Sequence, residues 1–166
     1  DLGATLFTAA YIGGLASCLL AIRGLRFGIA PGEAAAPGLR ALLWYACTTK
    51  SADIFAYFAG KSLGRHTLAP EISPKKTVEG AIGGLLGSVA VGFALWGVAG
   101  PAGAAMSAWQ VAAFGASCSV ACQLGDLVES RFKRRAGVKD SAHYLPEFGG
   151  MMDMTDGLVF AAPVGL

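Results

Sequence analysis

Four stretches of the chain, Leu2 to Ile22, Leu39 to Gly60, Gly80 to Gly100 and Ser107 to Val128, are mostly apolar. Each is close to the roughly 20 residues that a helix needs to cross the hydrocarbon of a bilayer. A fifth apolar stretch runs from Gly157 to Leu166. Composition agrees with this pattern. Of the 166 residues, 54% are hydrophobic and 14% charged, whereas an ordinary soluble domain carries about 25% charged residues. The mean hydropathy is +0.55, too apolar for a chain that hides its surface in one soluble core. The expected fold is all-α: a polytopic transmembrane helix bundle, with residues 1–166 forming a single membrane-embedded domain. The chain starts at Asp1 and its last apolar stretch stops at Leu166, so it reads as a piece of a longer multi-span protein. No basic segment and cleavage site mark a signal peptide, so residues 2–22 read as a span.

The link from Gly100 to Met106 is short and uncharged, which makes the third and fourth stretches a hairpin with both open ends on one side of the membrane. That side carries Lys61, Arg65, Lys75 and Lys76 in one loop and Arg131, Lys133, Arg134, Arg135 and Lys139 in another, against Arg23, Arg26 and Arg40 on the opposite side. The excess of Lys and Arg puts the two charged loops in the cytoplasm. The net charge of +2 is too small to argue for a nucleic-acid partner. Cys18, Cys47, Cys118 and Cys122 all lie in apolar stretches with no CxxC pair, and read as inert small core residues. Gly83, Gly84 and Gly87 provide a small face for close helix packing.

Polar residues inside or beside these stretches are the candidates for chemistry. Asp53 interrupts the second stretch, and an acid at that depth is a functional-site hypothesis by default. Asp53, Tyr57 and Lys61 share a helical face at spacings of four. The alternative is a packing acid paired with Lys50 one turn away. In the next loop Pro70 and Pro74 rule out a continuous helix, and Ser73, Lys75, Lys76 and Thr77 set two cations and two hydroxyls at the start of the third stretch. Thr77 can cap that helix, whose amino end favours an anion such as phosphate. The other reading of the lysines is an anchor for lipid head groups.

The densest polar segment is DLVESRFKRRAGVKDSAHYLPEFGGMMDMTD, Asp126 to Asp156, with five of the 13 basic residues and six of the 11 acids. If the fourth helix continues past Val128, Asp126, Ser130, Lys133 and Arg134 form one stripe, a carboxylate below cations. Gly149 and Gly150 let backbone approach a ligand closely. Asp153 and Asp156 follow on one helical turn. With Asp126 they make a three-carboxylate set of the hard oxygen ligands that Mg²⁺ takes alongside substrate phosphates. Surface salt bridges between these acids and the arginines are the alternative.

The pattern Ser130, Lys133, Arg134, Lys139, Asp140, Ser141, Pro146, Gly149, Gly150, Asp153, Asp156 resembles the signature of the phosphatidate cytidylyltransferase, or CDP-diacylglycerol synthase, family. The segments ADIFAYFAGKSLGRHTLAPEISPKKTVEGAIGG and QLGDLVES are similar to the same family in order and spacing, so the resemblance covers about residues 39–166. It implies a multi-pass enzyme of the cell (inner) membrane with its site facing the cytoplasm, joining CTP to phosphatidate in phospholipid biosynthesis. The implied cofactor is Mg²⁺ or Mn²⁺, with room for a second, monovalent cation, and a homodimer is compatible. On this reading Asp126, Asp153 and Asp156 hold metal. Lys133, Arg134, Lys139 and Asp140 are catalytic, with Asp140 either orienting Lys139 or meeting the cytidine. Asp53, Ser73, Lys75, Lys76, Thr77, Ser130, Gly149 and Gly150 bind substrate. Two positions depart from the family pattern: Phe148 stands where histidine is usual, and Met154 where arginine is usual. Three other readings stay open: an enzyme acting on another lipid phosphate or alcohol, a family member without turnover, and a membrane transporter.

Overall fold

A computed structural model describes residues 2–24, 36–70, 72–135 and 151–166, with the side chains of 2–12, 36, 101–102, 135 and 151–154 outside that description. The described chain is mostly helical: α1 (Leu2–Gly24), α2 (Ala36–Leu63), α3 (Val78–Ala94), α4 (Pro101–Ala104), α5 (Ala108–Arg135) and α6 (Met151–Ala161). α3 packs against α2 and α5, and α6 packs against α5.

The glycine face predicted on the third stretch is what brings α2 and α3 together. A Cβ at Gly84 would stand 2.7 Å from the Ala52 carbonyl oxygen and 3.1 Å from the Ala56 Cβ. Backbone cannot yield to such a contact, so the close approach requires glycine there. Three helices are then tied through polar atoms in the interior. Ser88 Oγ lies within hydrogen-bond distance of both Thr48 O (2.9 Å) and Gly115 O (2.8 Å), and Trp44 Nε1 donates to Gly92 O at 2.9 Å. Buried apolar side chains complete the core: Ile22, Tyr45 and Cys118 with Ala161 and Ala162 at one end, and Trp44 with Val111 and Ala99 at the other. Trp44 stacks on Phe114 with ring centroids 4.4 Å apart.

Three sequence expectations need correction. The stretch Gly80 to Gly100 is not one helix. α3 stops at Ala94, a 3-10 turn covers Trp96–Ala99, and Gly100 takes φ 62°, a conformation open to glycine. Trp96 Nε1 donating to Gly103 O at 2.7 Å closes that connection. The last helix begins before Gly157, at Met151, and gives way to a 3-10 turn over Ala162–Gly165, where Pro163 cannot continue it. The fold is also not purely helical. The loop after α2 forms an antiparallel hairpin of β1 (Thr67–Ala69) and β2 (Ser73–Thr77), with Thr67 opposite Thr77 and Ala69 opposite Ser73. Pro70 lies outside both strands and Pro74 on the edge of a two-stranded sheet, positions where a missing N–H is tolerated.

The hairpin is locked to the foot of α3, ahead of the apolar stretch that starts at Gly80. Thr77 caps α3, its hydroxyl accepting from the Gly80 N–H at 3.1 Å. Glu79 accepts from His66 Nδ1 (2.6 Å) and from the backbone N–H of Arg65 (3.1 Å) and His66 (3.2 Å). The His66 hydrogen bond first, and the amides after it, hold the Glu79 carboxyl down to about 2. Because that value is depressed, the stabilisation is complete above the ordinary value of 4.5 and is lost as pH falls through about 2. Amide-exchange protection at Arg65 and His66 should hold down to about pH 4.5, weaken below it, and be absent at all pH in Glu79→Ala. Protection in Glu79→Ala equal to wild type would refute the lock.

One described segment, Ala108–Arg134, is long and apolar enough to cross a membrane by length and composition, while Gly13–Gly24 and Val78–Ala94 are shorter apolar helices. α2 has sufficient length but carries Arg40, Lys50, Asp53 and Lys61.

Candidate functional site

Two helices meet the hairpin at one place. Asp53 sits midway along α2, Cys122 and Asp126 occupy successive turns of α5, and Lys76 reaches in from β2. Lys76 Nζ donates to Asp126 Oδ2 at 2.8 Å, joining residues 50 apart in the chain. Lys50 Nζ donates to Asp53 Oδ2 at 2.9 Å, and the Cys122 thiol donates to Asp53 Oδ1 at 3.2 Å. Among the described residues, one ligand atom from each of Asp53, Cys122 and Asp126 lies within 4.8 Å of the other two. Cys122 is fully buried, and both ion pairs are partly shielded from solvent.

α6 extends this cluster. It crosses α5 where Gly125 and Gly157 meet, so that a Cβ on Gly157 would stand 2.5 Å from Cys122 Sγ and 3.0 Å from Asp126 Oδ1. The bare Cα therefore packs directly against the sulfur and the carboxylate. Next to it, the Asp156 carboxyl lies close to Glu129, which is ion-paired to Lys133 at 3.3 Å. Carboxyl groups of α5 and α6 thus face each other across the helix crossing.

Several expected site residues converge here. Asp126, Asp156, Asp53, Lys76 and Lys133 all join the cluster or border it. α5 does continue as a helix through Ser130, Lys133 and Arg134; Arg134 is exposed, and Ser130 is partly buried on the same helix. Lys75 is exposed beside Lys76, Ser73 begins β2, and Thr77 serves as the cap of α3. Lys139, Asp140, Gly149 and Gly150 lie outside the described residues, as does the side chain of Asp153 in α6. Asp53 pairs with Lys50, as the alternative reading has it, and turns its other oxygen to Cys122.

Sequence reasoning passed over Cys122, Lys50 and Glu129 as members of the site. Cys122 was expected to be an inert core residue. It is buried, but its sulfur faces carboxylates. The signal was present, since Cys122 stands four residues before Asp126 and Glu129 three after it, spacings that share a helix face. The donor set suits a divalent cation, since two carboxylates offer hard oxygens.

Comparison with known proteins agrees with this chemistry. The cytidylyltransferase family model matches residues 1–166. The chain is similar to phosphatidate cytidylyltransferases of three bacteria. It is 44% identical to that of Brucella abortus biovar 1 (strain 9-941) over 126 residues, 75% of this chain and 45% of the relative. For Synechocystis sp. (strain ATCC 27184 / PCC 6803 / Kazusa) the identity is 45% over 126 residues, 74% of this chain and 40% of the relative. For Staphylococcus aureus (strain COL) it is 41% over 132 residues, 80% of this chain and 50% of the relative. The chain thus spans half the length or less of these curated relatives. With a family match along its whole length and carboxylates and lysines brought together from three separate elements, the chain belongs to the cytidylyltransferase family.

Proposed function

We propose that the chain forms the catalytic part of a phosphatidate cytidylyltransferase, a nucleotidyltransferase that makes CDP-diacylglycerol and pyrophosphate from CTP and phosphatidate. The observation that carries this reading is the meeting of Lys76 and Asp126, which joins the lysine-bearing hairpin to the carboxylates of α5 beside an apolar bundle. Oxygen of the phosphatidate phosphate attacks the α-phosphorus of CTP, the α–β bond breaks, and pyrophosphate leaves. The attacking phosphate is already an anion at neutral pH, so the site needs positioning and charge stabilisation more than a strong base.

Asp126, Asp153 and Asp156, with Asp53 beside them, are the residues that would hold Mg²⁺ or Mn²⁺. A bound divalent ion supplies electrostatic stabilisation to the nucleotide phosphates. Lys75 and Lys76 on the hairpin and Lys133, Arg134 and Lys139 beyond it offset charge on the leaving pyrophosphate. Ser73, Thr77, Ser130, Gly149 and Gly150 contact the substrate phosphates, and Asp140 orients Lys139 or meets the cytidine. A second, monovalent cation fits the same acidic cluster.

The bundle sits in the cell (inner) membrane as a multi-pass unit with this site toward the cytoplasm. Exposed apolar side chains such as Leu20 (75% exposed), Trp109 (71%), Leu63, Phe58 and Leu86 support a lipid-facing exterior. Acyl chains enter laterally between helices, and the exposed faces also suit a homodimer. Membranes containing the protein, incubated with labelled CTP, phosphatidate and Mg²⁺, should form CDP-lipid. Absence of product in wild type together with its appearance in the Phe148→His, Met154→Arg double variant would instead identify a family member without turnover. Absence in both would refute the reaction.

A further inference from the structure

Cys122 puts a soft sulfur ligand between two hard carboxylates, and we propose that Asp53, Cys122 and Asp126 form a site for a thiophilic divalent cation such as Cd²⁺, Zn²⁺ or Co²⁺. This deepens the reading of the same site given above, since such an ion competes there with the hard ion of the reaction. Three features of the structure support it.

The ligand atoms come from two helices and lie within 4.8 Å of one another. Bond lengths of about 2.3 Å to sulfur and about 2.1 Å to oxygen keep two ligands of one ion within about 4.4 Å, so small side-chain rotations close the cluster. The sulfur already faces in, donating to Asp53 Oδ1. The thiol proton passes to buffer as the metal–sulfur bond forms.

Each carboxylate is oriented from outside. Lys50 holds Oδ2 of Asp53 and Lys76 holds Oδ2 of Asp126, in the manner of groups that aim a ligand without touching the ion. These lysines also cancel charge on the two acids. That weakens a bond resting mainly on Coulomb attraction, as with Mg²⁺, more than a bond with covalent sulfur character.

The test uses the purified protein in detergent, without nucleotide, titrated with Co²⁺ and read by the near-ultraviolet sulfur-to-cobalt charge-transfer band. The band should appear and saturate in wild type, persist in Cys18→Ser and Cys47→Ser, and vanish in Cys122→Ser. Cys122→Ser should also weaken Cd²⁺ binding in calorimetry by about 10- to 100-fold, at least the loss typical of second-sphere changes. Co²⁺ binding without the band, or a band that survives in Cys122→Ser, overturns the proposal. Wild-type Cd²⁺ binding no tighter than Mg²⁺ binding overturns it without any variant. Mg²⁺-supported CDP-lipid formation without the band sinks the sulfur ligand alone. The band without CDP-lipid formation supports the sulfur site and tells against the reaction.

Discussion

Asp126→Asn is expected to lower CTP-dependent CDP-lipid formation by at least about 100-fold, the upper end of what the loss of a mere second-sphere partner costs a metal site. Asparagine keeps the shape and one carbonyl oxygen, so Lys76 retains a hydrogen-bond acceptor in place of its present 2.8 Å partner. What disappears is charge. The cluster loses one of the carboxylates that attract a cation, and Lys76 loses its counter-charge and is left on a neutral amide. Thermal unfolding should move little while turnover and Mn²⁺ affinity both fall, a pattern that separates a ligand from a packing residue. Turnover and metal dependence equal to wild type would show that Asp126 is not part of the reacting site.

Gly157→Ala is the second large effect, and it acts through space rather than charge. The added methyl would stand 2.5 Å from Cys122 Sγ, 3.0 Å from Asp126 Oδ1 and 3.4 Å from Cys122 O, all carried by α5. α6 must therefore back away from α5. Overpacking of this kind costs about 1–3 kcal/mol. The displacement also draws Asp156 from Glu129, its neighbour on α5. We expect a lowered unfolding midpoint and an activity loss that persists at temperatures where the variant is fully folded. Gly13→Ala is the control, because nothing lies within 4 Å of a Cβ there. Activity of Gly157→Ala matching that of the control would mean that the α5–α6 crossing does not set the site.

Much of this was legible in the chain because apolar helices write their pattern in one dimension. The apolar stretches outlined most helices, and the glycines at 83, 84 and 87 marked the face that α3 turns to α2. The helical continuation of α5 through Lys133 also followed from spacing. Where the chain leaves helix, the pattern fails. The end of α3 at Ala94 depends on Gly100 and on the Trp96 to Gly103 hydrogen bond, a tertiary contact within a stretch that is apolar throughout. The hairpin was missed because its strands have three and five residues and are held by Glu79 of the following helix and by Thr77 as that helix's cap.

For the site, sequence alone determined which residue types are available and which share a helix face: Asp126 with Ser130 and Lys133, Asp153 with Asp156, and Lys75 and Lys76 ahead of α3. It also identified the family through the long polar signature. Tertiary structure decided the partners. Asp53 and Cys122 are 69 residues apart, and Lys76 and Asp126 are 50 apart, and no periodicity within one helix reports a contact between two. The packing of small residues decides it: with glycine at the helix crossings the backbones approach closely enough for short polar side chains to meet, and that is why a thiol expected to be inert stands between two carboxylates.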